Sequence, residues 1–107
     1  MKTFFYSLIN YQEISTAVTK AGLSPQEKKK ILKLIDEIIL TRMIDGVLEK
    51  LPTKHHETFL EQYLKNPDDK KLMEFLKKEI DQIESHLKKV SEKTKQEIFE
   101  DIRQSLN

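Results

Sequence analysis

Apolar residues recur every three or four positions along the chain, which is the spacing that places them on one face of an α-helix. Three prolines lie at the boundaries of these periodic stretches and divide the chain into four segments. A chain of 107 residues is long enough for a single hydrophobic core. The pattern therefore predicts one all-α domain over residues 1–107, built as a small bundle of four or five helices.

The first segment, from about Thr3 to Ala21, has an apolar stripe and stops before Gly22. Glycine favours the left-handed backbone conformation that commonly ends a helix. The sequence Asn-Tyr-Gln-Glu at residues 10–13 has the form of a capping box, which begins a helix. The segment is therefore either one helix or two short ones. Its stripe consists of Phe4, Leu8, Tyr11, Ile14, Val18 and Ala21, widened by Phe5 and Ile9.

The second segment has the clearest helix start in the chain. Ser24 is suited to cap the helix, Pro25 to occupy its first position, and Glu27 to complete the capping box. The helix is predicted to run to Lys50, and its apolar face changes sides partway. Because different partners must cover the two ends of such a helix, we expect it at the centre of the fold. The first stripe is Ile31, Leu32, Leu34, Ile35, Ile38 and Ile39, and the second is Leu40, Met43, Ile44, Val47, Leu48 and Leu51.

The third segment follows Pro52, which ends the second helix. Thr53 is a candidate cap for a short helix, which we expect to pack over the end of the second helix. The inward face of this short helix is formed by Phe59, Leu60, Tyr63 and Leu64.

The fourth segment begins with Asn66 as a predicted cap and Pro67 in the first helical position. Its apolar residues then form a narrow seam, which is typical of one helix pairing with another. We expect this long C-terminal helix to run antiparallel to an earlier one. Residues 67–105 form either one helix or two, and in the second case the last helix starts at Ser91 or Thr94.

Composition and charge narrow the functional classes. Charged residues make up 35% of the chain, yet 19 basic and 18 acidic side chains leave a net charge of only +1. A sum this close to zero argues against a dedicated polyanion binder. The chain has no cysteine and no apolar run of the length that spans a membrane. We therefore expect a cytoplasmic protein.

The sequence predicts neither an enzyme nor a metal site. His55 and His56 are adjacent, so on a helix their side chains diverge by about 100°. The start of a zinc-protease motif at His56 lacks its second histidine, since Leu60 occupies that position. We expect His56 to pack beside Leu60 and His55 to face water. No cofactor, catalytic residue or small-molecule substrate is indicated.

A nucleic-acid-binding protein is the alternative function. Residues 51–64 resemble the first half of a sigma-factor-like helix-turn-helix, but a turn with Asp68 and Asp69 follows where the recognition helix should begin. Acidic residues are interspersed among most of the lysine clusters, a pattern typical of solvated helix faces. The lysines that would contact nucleic acid are Lys28, Lys29, Lys30 and Lys33.

Residues 23–76 resemble a small uncharacterised family from uncultured, small-genome bacteria. The resemblance rests on the Leu-Ser-Pro helix start, the long helix ending in Leu51 and Pro52, the Phe59-Leu60 helix and the acidic turn after it. It implies a small helical bacterial domain and supplies no catalytic residue.

Apolar surface beyond the needs of one small bundle predicts a helical protein–protein interaction module. Its partner is another protein or a second copy of the chain, so that it acts as an adaptor or regulator, including as a homodimer. The predicted interface lies on the second stripe of the second helix and on the seam of the last one. It comprises Leu40, Met43, Ile44, Val47, Ile83, Leu87 and Val90.

Overall fold

The fold is all-α, as the hydrophobic pattern predicts. The computed structural model describes residues 3–106, and the side chains of residues 3–104. Within that range it contains five α-helices, two short 3-10 turns and no strand. The second helix and the last helix are the longest, as expected. The helices are α1 (Tyr11–Lys20), α2 (Pro25–Lys50), α3 (His56–Lys65), α4 (Lys70–Glu79) and α5 (Ile83–Leu106), and the 3-10 turns are Tyr6–Leu8 and Thr53–His55.

The first segment is divided, which decides between the two alternatives left open by its sequence. The 3-10 turn Tyr6–Leu8 comes first, and α1 begins after Asn10. The Asn10 side-chain oxygen accepts a hydrogen bond from the backbone N–H of Glu13 at 3.2 Å, and the Asn10 amide donates to the Glu13 carboxylate at 3.3 Å. This reciprocal pair is the capping box, and it begins α1 at the position where the chain changes direction.

Helix α2 begins and ends as predicted. The Ser24 hydroxyl accepts from the backbone N–H of Glu27 at 3.2 Å, and Pro25 occupies the first turn. Gly22, just before this helix, has a φ of +73°, in the left-handed region where a side chain would be strained.

The buried residues of α2 wind gradually around the helix axis, which accounts for the predicted change of its apolar face. Each step of four residues advances about 40° around a helix of 3.6 residues per turn. Four such steps turn the buried side by about 160° from one end of the row to the other. The buried members of the two predicted stripes therefore form one continuous row. The buried row is Ile35, Ile39, Met43, Val47 and Leu51.

Two predicted helix starts lie at other residues. Thr53 makes no capping bond and instead opens the 3-10 turn that leads into α3. Helix α4 begins at Lys70, where Asp69 is the cap and accepts from the backbone N–H of Lys71 at 3.0 Å. Asn66, the predicted cap, bonds the backbone N–H of Asp68 at 3.3 Å and so closes a turn before the helix.

The fourth segment forms two helices, but the break lies at residues 80–82 and not at Ser91 or Thr94. Gln82 has a φ of +56° and so turns the chain between α4 and α5. Ser91 and Thr94 are buried within α5, where the Ser91 hydroxyl donates to the carbonyl of Leu8 at 3.3 Å. The Ser91 hydroxyl thus joins α5 to the first 3-10 turn. The Thr94 hydroxyl donates to the carbonyl of Val90 within α5 at 2.8 Å, and neither residue caps a helix.

Helix α5 runs antiparallel to α2, as expected for the C-terminal helix. His86 on α5 contacts Gly46, whereas Glu97, three turns later, contacts Arg42, an earlier residue of α2. At the other side of α5, Lys95 lies 3.0 Å from the carboxylate of Glu13 on α1. These contacts hold α1, α2 and α5 together around the buried row.

Aromatic side chains near the N-terminus close the core between the first turn and α3. Phe5 and Phe59 are fully buried, and the ring of Phe4 packs edge-on against Phe5, Phe59 and Tyr63 at centroid distances of 5.2, 5.8 and 6.2 Å.

Among the described residues, no helix is long and apolar enough to cross a membrane.

Candidate partner-binding groove

His55, predicted to face water, is instead half-buried against α4. Its Nε2 lies 3.3 Å from a carboxylate oxygen of Glu79, and its ring packs edge-on against Phe75 at 5.6 Å. Both partners belong to α4, which the local sequence around His55 could not place. His55 therefore fastens the start of α3 to α4.

The other two histidines bridge helices through backbone carbonyls. The Nε2 of His56 lies 2.7 Å from the carbonyl oxygen of Leu51, and that of His86 lies 3.0 Å from the carbonyl oxygen of Gly46. Because a carbonyl can only accept, the hydrogen sits on Nε2 in both rings. His56 is half-buried, as expected, and the geometry assigns both histidines a structural role.

Metal-ligating side chains are dispersed over the described part of the chain. No group of three or more histidine, aspartate or glutamate side chains there is arranged to hold a metal ion.

The predicted partner interface lies largely inside this chain. Of its seven residues, four are buried in the core and three are half-buried against it. They contact the chain's own helices, because the second stripe of α2 and the seam of α5 face each other across the antiparallel pair. In this conformation they offer little surface to a partner. The buried residues are Met43, Val47, Ile83 and Leu87, and the half-buried ones are Leu40, Ile44 and Val90.

The exposed apolar residues of α2 lie on its first stripe instead. Leu34 is 57% exposed and Ile38 is 38% exposed, and the two are one turn apart on the same side of the helix. They stand at the edge of an apolar groove of about 270 Å³ between α2 and the end of α5. The groove is also lined by Val18, Ala21, Leu23, Ile31, Ile35, Ile98, Asp101 and Ile102.

The winding of the buried row explains why these two residues are left uncovered. In the first half of α2 the row consists of Ile35 and Ile39, which are both buried. Leu34 and Ile38 precede them by one residue each, so they lie about 100° around the helix from the row. No other helix of the described chain reaches that side far enough to cover them.

Charged side chains line a second cavity that adjoins the groove and shares Leu34, Ile38 and Ile98 with it. On α5 these are Glu97 and Asp101, both carboxylates. On α2, Arg42 forms an ion pair with Glu97 at 3.2 Å, and Glu37 lies nearer to Leu34. The groove is thus apolar along its floor, acidic along α5 and of mixed charge along α2.

The lysines of the nucleic-acid alternative lie near the start of α2. Lys28 is half-buried, and Lys29, Lys30 and Lys33 are exposed. The exposed Glu37 lies one turn after Lys33 on the same face. Carboxylates interrupt this basic surface, which does not favour a phosphate backbone.

None of the seven predicted interface residues lines the groove, and the sequence does not show that Leu34 and Ile38 are exposed. Leu34 and Ile38 were part of the predicted first stripe, and helical spacing shows only that they are apolar neighbours. Whether another helix covers them depends on where α5 lies, which is a property of the tertiary structure.

No family model, curated protein or solved structure matches this chain.

Proposed function

We propose that this protein is a non-catalytic helical interaction module that binds a protein partner in the groove between α2 and α5. The single observation that carries the proposal is the exposure of Leu34 and Ile38 at the edge of that groove. Exposed apolar residues next to an apolar cleft are characteristic of surfaces that another protein covers.

The shape of the groove favours an amphipathic helix as the bound element. Its lining includes apolar residues one turn apart on α2, Leu34 and Ile38, and on α5, Ile98 and Ile102, so a third helix can rest along it with its own apolar side chains pointing inward. Its edges carry both signs of charge, which suits the mixed polar faces of protein helices better than a uniformly anionic nucleic acid.

Substitution of Leu34 by serine tests this proposal. It removes the most exposed apolar side chain of the groove, so the affinity for the partner should fall by about tenfold or more, as for a central interface residue. The measurement is capture of binding proteins from lysate of the source cell on immobilised protein, with quantification of each captured species.

Leu64→Ser is the matched control. Leu64 is 78% exposed on α3, away from the groove, so the same chemical change there should leave capture intact. The proposal requires a species that is retained by the original chain and the control but not by Leu34→Ser. Equal capture by all three chains would overturn it, provided that their thermal unfolding midpoints agree.

A further inference from the structure

The turn between α4 and α5 depends on a residue that does not favour its own conformation. Gln82 has a φ of +56°, in the left-handed region that glycine adopts readily and that strains other residues. From Lys70 to Leu106 the chain contains neither glycine nor proline, the residues that most often end a helix. The bend is therefore imposed by tertiary packing and opposed by the local sequence.

The apolar pattern runs through the bend without interruption. From Leu76 to Val90 its steps are four, three, four and three residues, which is the spacing of a single stripe along one continuous helix. The members on either side of the bend, Ile80 and Ile83, are both buried. A straight helix would keep this stripe on one face and would release the strain at Gln82.

A single chain cannot straighten at Gln82 and keep its core. Helix α5 is joined to α2 by the bond between Nε2 of His86 and the carbonyl oxygen of Gly46, at 3.0 Å. In a straightened chain α5 leaves α2, and buried residues such as Leu87 and Ile98 become exposed to water. The preference of the local sequence and the needs of the core thus conflict within one copy.

A second copy of the chain removes this conflict. Each straightened copy can place its α5 against α2 of the other, so that the contacts between α2 and α5 form again, now between copies. The exchange keeps the buried core and replaces two strained bends with two regular helices. Short, strained hinges favour exchange for this reason.

The contact that the exchange gives up is weak. Lys77 and Glu84 form an ion pair at 2.6 Å because the chain bends between them, whereas about 10 Å separates their positions along a straight helix. Their side chains are 56% and 44% exposed, and ion pairs this exposed contribute little to stability.

We infer that this protein forms a dimer by exchange of α5 between two copies, with Gln82 as the hinge, in equilibrium with the bent monomer. Because each α5 packs against α2 of the other copy as it does against its own, the groove between α2 and α5 is present twice in the dimer. The inference does not depend on what occupies that groove.

A matched pair of substitutions at residue 82 tests the hinge. Gln82→Ala favours the straight helix, because alanine has a high helix propensity and is strained in the left-handed conformation, so dimerisation should strengthen. Gln82→Gly favours the bend and weakens the straight helix. Its dimer should be about a hundredfold weaker than that of the original chain, or about tenfold for each of the two hinges. Sedimentation equilibrium of the full chain, refolded at each concentration, gives the dimer dissociation constants.

A fitted pair of substitutions at the contact between α2 and α5 tests the exchange itself. A Cβ atom at Gly46 would lie 3.1 Å from Cγ2 of Val90, so Gly46→Leu makes α2 clash with the original α5, and Val90→Ala makes room. In an exchanged dimer of these two variants, the enlarged α2 meets the trimmed α5, and the remaining contact is the original one. In a dimer without exchange, each copy keeps its own misfit.

The two variants are refolded together from urea in equal amounts, and the dimers are identified by native mass spectrometry. Exchange predicts that the mixed dimer exceeds the share expected from random pairing. The control is the double variant Gly46→Leu/Val90→Ala refolded with the original chain. Each of these chains fits itself and misfits the other on exchange, so their mixed dimer should fall below the random share.

Three results would each overturn the inference. One is an original chain that stays monomeric at every concentration up to its solubility limit. Another is a Gln82→Gly variant that dimerises as tightly as Gln82→Ala. The third is random pairing in both mixtures, which would show that the copies associate without exchanging α5. Capture that depends on Leu34 is a separate measurement, so failure of this inference leaves the proposed function standing.

Discussion

Gly46 is a residue at which α2 and α5 approach each other closely. A Cβ atom there would lie 3.1 Å from Cγ2 of Val90 and 3.6 Å from Cδ2 of Leu87. Its carbonyl oxygen also accepts the hydrogen bond from His86 at 3.0 Å. Glycine inside a helix costs about 0.5–1 kcal/mol relative to alanine, so its presence here is explained by the close approach that it permits.

We expect Gly46→Leu to destabilise the protein by about 1–3 kcal/mol, because the larger side chain must displace Val90 from a packed interface. The displacement outweighs the better helix propensity of leucine. Urea unfolding followed by circular dichroism measures the change in the free energy of unfolding.

Val90→Ala provides the check on that mechanism. Combined with Gly46→Leu, it makes room for the new side chain. The double variant should therefore lose less unfolding free energy than the two single variants lose in total. Simple additivity, or an unchanged midpoint for Gly46→Leu, would show that the helices do not meet as described.

The position of the break between α4 and α5 is explained by the lengths of whole helices. A continuous helix over residues 70–106 would be about 55 Å long at 1.5 Å per residue, whereas α2 is about 39 Å long. Part of it would then extend past α2 with its apolar seam uncovered. With the turn at Gln82, α4 instead packs against α3, and Ile80 and Ile83 are both buried. Lys77 of α4 and Glu84 of α5 form an ion pair at 2.6 Å across the turn, and the bond to Lys77 lowers the pKa of Glu84.

We expect Gln82→Gly to stabilise the protein by about 0.5–1 kcal/mol. Gln82 has a φ of +56°, which costs an ordinary residue about 1–2 kcal/mol, and glycine removes most of that strain at some cost in unfolded-chain entropy. The thermal unfolding midpoint should therefore rise.

The same substitution in α5 should have the opposite sign. Gln96 is exposed in the middle of the helix, where glycine costs about 1 kcal/mol relative to good helix formers. If Gln82→Gly and Gln96→Gly both lower the midpoint, the chain does not adopt the left-handed conformation at Gln82.

The whole molecule is organised around α2, which is covered on different sides at its two ends. Tyr11 of α1 packs near the first half of this helix, and its ring stacks on that of Tyr6 at 4.9 Å. Burial raises the pKa of Tyr11 above its ordinary value of 10.0, and the nearby carboxylate of Asp36 adds to the effect. Burial also raises the pKa of Tyr63, and hydrogen bonds to Glu13 and Glu92 raise that of Lys95.

These shifts all have the same consequence for stability. Each group keeps its proton to a higher pH in the folded chain than in the unfolded chain, so its contribution is complete below the unfolded pKa. We expect the free energy of unfolding to fall as the pH rises above about 10, where the unfolded chain loses these protons first.

Tyr11→Phe should make this alkaline loss less steep, since phenylalanine has no proton to lose. The comparison is between the slopes of unfolding free energy against pH, measured with urea from neutral pH into the alkaline range. An identical slope in the original and the variant would contradict the assigned role of Tyr11.

The sequence determined the local features of this protein by itself. Helical spacing predicted the all-α class, and the capping residue Ser24 located the start of α2, because a capping box involves residues three apart. Asn10 was one of two alternatives for the start of the first helix, and the structure decided for it. The start of α4 was displaced by three residues, since Asn66 and Asp69 both can cap and the sequence does not rank them. That the sequence predicts no catalytic site also followed from local spacing, because Leu60 occupies the position where a zinc-protease motif starting at His56 needs its second histidine.

The tertiary structure alone decided which apolar residues are covered. Met43 and Leu87 belong to helical apolar stripes, just as Leu34 and Ile38 do. Only the position of α5 makes the first two part of the core and leaves the second two exposed. The break at Gln82 also depends on the length of α2 and on the packing of α4 against α3. Spacing along the chain fixes which residues share a face, whereas burial depends on contacts between segments far apart in sequence.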